Sequence, residues 1–97
     1  MSAHKKPLKL YILRCRDNSL YTGITTDIDE RLRAHNAGNA AKYTRARLPV
    51  NVVYTEQCSS RSLALKREWQ IKGWTKRKKE AFVKESAQPF IKAGQPH

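Results

Sequence analysis

An α/β (α+β) fold, with a small three-stranded and mostly antiparallel sheet flanked by three helices, follows from three features of this 97-residue chain. Three short runs rich in Leu, Ile, Val and Tyr, at 8–15, 20–25 and 50–55, have the composition of strands. The turn signal Asp17-Asn18-Ser19 separates the first two and makes them an antiparallel hairpin. Three stretches that begin on Ser, Thr or Asp carry helix formers and alternate with or follow the strands.

Residues 1–7 read as a basic arm ending at Pro7, 8–86 as the folded domain, and 87–97 as a flexible tail with Pro89, Gly94 and Pro96. In the hairpin, a loop of Arg16, Asp17 and Asn18 sets Cys15 opposite Ser19 and Leu13 opposite Tyr21. Side chains alternate faces along a strand, so Tyr11 and Tyr21 then share one face, and a two-residue loop would separate them. The first helix starts at Thr26 or Asp27 as cap, has Asp29 and Glu30 in its first turn, and runs to about Ala37 before Gly38 stops it. A basic loop, 39–49, leads to the third strand. Ser59 or Ser60 caps the second helix, 61–72, which ends at Gly73. Thr75 caps the third, 76–85, whose few apolar residues (Ala81, Phe82, Val83) place it at an edge. Trp69 reads as core.

Twenty Lys and Arg against eight Asp and Glu leave a net charge of +12, with a pI near 10.2. That balance implies a polyanionic partner and salt-dependent binding. No apolar run reaches the roughly 18 residues of a membrane span, and residues 1–7 lack the apolar stretch of a signal peptide. The expectation is a cytoplasmic protein without a membrane partner or small-molecule cofactor. Cys15 and Cys58 fit no zinc pattern and read as reduced, mostly buried thiols.

Five side chains carry candidate chemistry. Glu68 lies inside the apolar arc of its helix and is the only acid between Arg61 and Lys79. An inward carboxylate needs a partner. The partner is either Arg67, Lys72 or a base of the first helix, or else an Mg²⁺ ion, which is content with one carboxylate. Arg31 precedes His35 by one helical turn, on the same side. Tyr11 and Tyr21 face them from the hairpin, and Gly23 is either a bulge or a place where a phosphate can approach the backbone. Lys42, Arg45 and Arg47 stand in the basic loop as candidate phosphate contacts. Tyr43 and Trp74 are candidates for stacking on bases, with core packing the alternative for Trp74.

Taken in order, these residues resemble the GIY-YIG nuclease superfamily over about residues 8–83. Leu10-Tyr11-Ile12 stands at the G-I-Y string and Tyr21-Thr22-Gly23 at Y-I-G. Arg31, His35 and Glu68 stand at the helix arginine, the histidine and the metal-binding glutamate. The strings YTGITTDIDERLRAHN and RSLALKREWQIK are most similar to small single-domain bacterial members of the Slx1-like branch (UPF0213-type). The resemblance implies a metal-dependent DNA endonuclease, acting on branched or damaged DNA in repair. Glu68 would hold one Mg²⁺ or Mn²⁺ ion, Arg31 would neutralise the phosphate, and Tyr11, Tyr21 or His35 would serve as base. Two departures stand out: Leu10 replaces the motif glycine, and no asparagine follows Glu68. The chain also shows no separate DNA-binding domain, which implies either poor selection of targets or a targeting protein as partner. The alternative is a nucleic-acid-binding module with the same fold and little or no turnover; an RNA-associated basic protein is a third reading, on composition alone.

Overall fold

Asn18 turns the hairpin in the left-handed region, at φ 71°, a conformation that Asn tolerates better than most residues. The Cys15 N–H donates to Ser19 O and the Asn18 N–H to Cys15 O, which closes the three-residue loop. The computed structural model describes residues 7–94, with side chains through 87. Strands β1 (Leu8–Arg14) and β2 (Leu20–Thr25) pair antiparallel with Leu13 opposite Tyr21 and Tyr11 opposite Gly23, so the two tyrosines do share a face. Helix α1 (Ile28–Asn36) is followed by a single turn, α2 (Lys42–Arg45), then β3 (Asn51–Cys58), α3 (Arg61–Lys72) and α4 (Lys76–Gly94). The sheet order is β2-β1-β3, antiparallel throughout.

The caps resolve to Asp27, whose carboxylate accepts from the Glu30 N–H, and Ser60, whose hydroxyl accepts from the Leu63 N–H. Thr75 accepts from the Lys78 N–H at the start of α4. Four readings of the sequence need correction. The basic loop contains α2, too short for periodicity to reveal. β3 continues to Cys58 because β1 offers Leu8 as its partner. The α4 backbone stays helical through Gly94, past the expected end at Glu85 and the expected loose start at Gln88. The arm at 1–6 and the last three residues lie outside the described residues. Trp69 is the fourth correction, since 79% of it is exposed.

Central β1 divides the core by its alternation. Leu10 and Ile12 point to one side, where Ile71 of α3 and Val83 of α4 cover them together with Trp74 and Phe82. Tyr11, Leu13 and Cys15 point to the other, against Val50 and the α1 residues Ile28 and Leu32. Leu10 is fully buried, so the residue that replaces the motif glycine fills the apolar layer. Arg14 grips the Glu80 carboxylate with two bonds of 2.7 Å and ties α4 to β1. Both cysteines are free thiols; Cys15 is buried and Cys58 only half-buried. Among the described residues no helix is long and apolar enough to cross a membrane.

Candidate active site

His35 lies on the inner side of α1, 1% exposed, and its two ring nitrogens have distinct partners. The Thr44 hydroxyl donates to Ala41 O at 3.2 Å. Its oxygen therefore accepts from His35 Nδ1–H at 2.8 Å. That assigns the tautomer and leaves a lone pair on Nε2, which accepts from the Tyr11 hydroxyl at 2.9 Å. Tyr11, His35 and Thr44 thus form a buried hydrogen-bonded chain from the central strand through α1 to α2. Burial holds the imidazole below its ordinary proton affinity, and Arg31 acts in the same direction. The ring is therefore a neutral acceptor at pH 7.

The Tyr11 phenol is pushed well above its ordinary value. Burial is the main cause, Tyr21 adds to it, Arg31 opposes it, and Glu68 adds again. His35 is thus bonded to the phenol and Tyr21 lies against the same imidazole, while Arg31 of α1 and Glu68 of α3 act on the phenol through space. Gly23 explains how the ring of Tyr11 fits there. A side chain at Gly23 would start 2.5 Å from Tyr11 Oη, so the bare Cα leaves room for the ring to lie across β2. The space over this glycine is occupied by tyrosine.

Tyr21 meets His35 edge-on at 5.3 Å and stacks on Tyr43 at 6.0 Å, so the aromatic contacts run from the buried histidine to the surface. Arg47 caps that stack 3.8 Å from the Tyr43 ring centroid and is also bonded to Asp17 and to Tyr43 O. Lys42 and Arg45 are exposed on α2 and line one surface hollow beside Gly38. Arg31 is exposed, and its guanidinium makes no hydrogen bond or ion pair among the described residues.

The Glu68 side chain is 19% exposed and pairs with Lys72 at 3.2 Å. Arg67, the other candidate partner on α3, is committed to Glu56 of β3. Among the described residues no three His, Cys, Asp or Glu side chains cluster as a metal centre. A single hard carboxylate does not suit Zn²⁺, which takes several protein ligands. It does fit Mg²⁺ or Mn²⁺, which favour oxygen donors; Mg²⁺ in particular keeps much of its water shell beside a substrate phosphate.

Sequence reasoning missed Thr44 and Asn36. Thr44 fixes the histidine tautomer. The Asn36 side-chain amide both donates to Val50 O, at 3.1 Å, and accepts from the Val50 N–H, at 2.8 Å. It thereby pins the end of α1 to the residue just before β3. The Asn is part of the RLRAHN string, but nothing in its spacing pointed to Val50.

The GIY-YIG catalytic-domain family matches residues 9–81 of the chain. The chain belongs to the GIY-YIG family. It is 53% identical over 76 residues to a UPF0213 protein of Haloquadratum walsbyi, covering 78% of this chain and 85% of that one. A UPF0213 protein of Staphylococcus haemolyticus is 49% identical over 76 residues, covering 78% and 93%. The solution NMR structure of a UPF0213 protein from Bacillus halodurans matches with a TM-score of 0.56 at 42% identity, over 86% of this chain and 88% of that one. An E. faecalis protein solved by NMR matches with a TM-score of 0.59, also at 42% identity, over 84% and 86%. These likenesses extend the GIY-YIG assignment to the three-dimensional fold.

Proposed function

We propose that this GIY-YIG protein is a metal-dependent DNA endonuclease that hydrolyses phosphodiester bonds, with branched or damaged DNA in repair as its substrate. The observation that carries the reading is the buried Tyr11–His35–Thr44 chain, set with an arginine that has no side-chain partner among the described residues and a largely withdrawn carboxylate. Arg31 binds the scissile phosphate with a guanidinium fork matched to its oxygens. As water attacks the phosphorus, its proton passes to Tyr11 Oη while the phenol's own proton passes to His35 Nε2. The phosphorus–oxygen bond to the leaving 3′-oxygen breaks, and solvent protonates that oxygen.

The two transfers are coupled because burial disfavours a standing phenolate on Tyr11. Thr44 acts as a positioning residue by keeping Nε2 free to accept. Glu68 would hold Mg²⁺ or Mn²⁺, whose positive charge when bound stabilises charge developing on the phosphate and the leaving oxygen. Lys42 and Arg45 hold flanking phosphates, and Arg47 steadies the Tyr43 stack beside them. A targeting protein as partner directs the domain to its substrate.

The test is cleavage of supercoiled plasmid and of labelled four-way and flapped DNA with Mg²⁺, Mn²⁺ or EDTA. Wild-type protein should nick only with metal, and Arg31→Ala and Glu68→Ala should not nick. Equal nicking by all three proteins overturns the proposal. Tight binding without cutting by wild type would instead make the chain a nucleic-acid-binding module.

A further inference from the structure

Trp69 lies exposed on the outer side of α3, next in sequence to the candidate metal carboxylate Glu68. An indole left in water forgoes one of the largest apolar burials available to a side chain. Single exposed apolar residues are common, but this one belongs to a constellation. Lys72, one turn further along, reaches back to Glu68 at 3.2 Å, and its Nζ lies 5.9 Å from the Tyr21 ring centroid. Trp69 and Trp74 wall a surface hollow of about 540 Å³, completed by Gln70, Lys72 and Gly73. Lys78 Nζ lies 4.6 Å from the Trp74 ring centroid, so a second cation stands against this aromatic wall.

Two indoles with ammonium groups beside them suit a planar π-system tethered to negative charge, which is the chemistry of a nucleobase on its phosphate. In a duplex both faces of each base are taken by stacked neighbours, so only an unpaired or splayed base has a face to offer. The +12 charge of the chain favours a polyanion over an apolar protein surface as occupant. Lys72 both pairs with Glu68 and lines this hollow, so a strand whose phosphate is held at Glu68 has the hollow next to it.

We infer that Trp69 stacks on an unpaired nucleobase beside the scissile phosphate, and that this contact directs the protein toward single-stranded or branched DNA. The inference rests on the proposed function for its choice of ligand, but binding without metal tests it separately. In EDTA, a mixed-sequence single-stranded oligonucleotide and its blunt duplex are titrated into wild type, Trp69→Ala, Trp69→Phe and Trp74→Phe, with indole fluorescence and anisotropy as readouts.

The single strand should quench Trp69 in the Trp74→Phe protein. If that variant fails to fold, the difference between wild type and Trp69→Ala reports the same signal. Trp69→Ala should lose about tenfold in affinity for the single strand, keep its duplex affinity, and recover in part as Trp69→Phe. Unchanged single-strand affinity in Trp69→Ala overturns the inference, as does equal loss on both DNAs. It is also overturned if sedimentation shows a wild-type dimer that Trp69→Ala converts to monomer, which makes the patch a contact between copies. Quenching without metal-dependent nicking would leave the stacking of Trp69 on an unpaired base standing and overturn the nuclease reading, and with it the placement beside a scissile phosphate.

Discussion

The two faces of the sheet are built on the same strand yet differ in kind. Toward α3 and α4, Leu10 and Ile12 meet Ile71 and Val83, with Trp74 and Phe82 crossing edge-on at 5.2 Å. That layer is held by apolar burial, and volume is what matters there. Toward α1 and α2, the neighbouring residue Tyr11 enters a hydrogen-bonded chain in which each proton position is set by the next group. The period of two in β1 is what lets adjacent residues serve apolar packing on one face and the proposed chemistry on the other. A substitution on one face should therefore register in melting and one on the other in turnover.

Tyr11→Phe is the sharpest way to separate the faces. It keeps the ring and removes the hydroxyl that reaches His35 Nε2, so cleavage should fall by about 10²–10⁴-fold while the melting temperature changes little. A melting loss as large as the apolar variant below would show that the hydrogen-bonded face is structural. Ile12→Ala, on the opposite face, should cost about 2–5 kcal/mol in denaturant unfolding. Cleavage per folded molecule should persist at a permissive temperature. Loss of turnover without loss of stability would contradict the division of labour.

Acid should loosen the two faces in different pH windows. The folded proton affinity of His35 is below its ordinary value, near 6.5, so the unfolded chain takes up that proton first. The His35 contribution is full above about pH 6.5 and declines as pH falls. Glu80 is pulled down to about 2, chiefly by its bonds to Arg14 and then Lys76. Its contribution is present above pH 4.5 and fades toward 2. Melting curves against pH for wild type, His35→Gln and Glu80→Gln should show the upper slope vanish only in the histidine variant. An unchanged upper slope there would remove His35 as its source.

The smallest effect is expected at Thr22, on β2, where the family string has isoleucine. Its hydroxyl is buried with no hydrogen-bond partner among the described residues, so Thr22→Val should stabilise by about 1 kcal/mol or less. Destabilisation would mean that the hydroxyl has a partner in solution.

Much of the candidate site could be read from short spacings. Arg31 and His35 share a helix side because four residues make about one turn, and Tyr11 and Tyr21 share a face because the hairpin loop is odd. The roles of Thr44 and Gly23 were not legible. Thr44 belongs to a four-residue helix with no periodicity to detect, and Gly23 is understood only once the Tyr11 ring lies over it. Trp69 was misread because hydropathy assigns an indole to the core. The orientation of α3 is instead set by Ala64 and Ile71, both fully buried, and that turns Leu63, Leu65 and Trp69 outward.

The sequence by itself determined the hairpin with Asn18 at its turn, the positions of the main helix starts, the excess of positive charge and the family to which the chain belongs. These depend on residues a few places apart, whose interactions are repeated in every chain that carries the same local pattern. Only the tertiary structure decided which nitrogen of His35 faces Tyr11, which base pairs with Glu68, and which side of α3 meets water. Those outcomes depend on groups such as Tyr11 and His35, 24 residues apart, whose meeting is set by how whole elements pack.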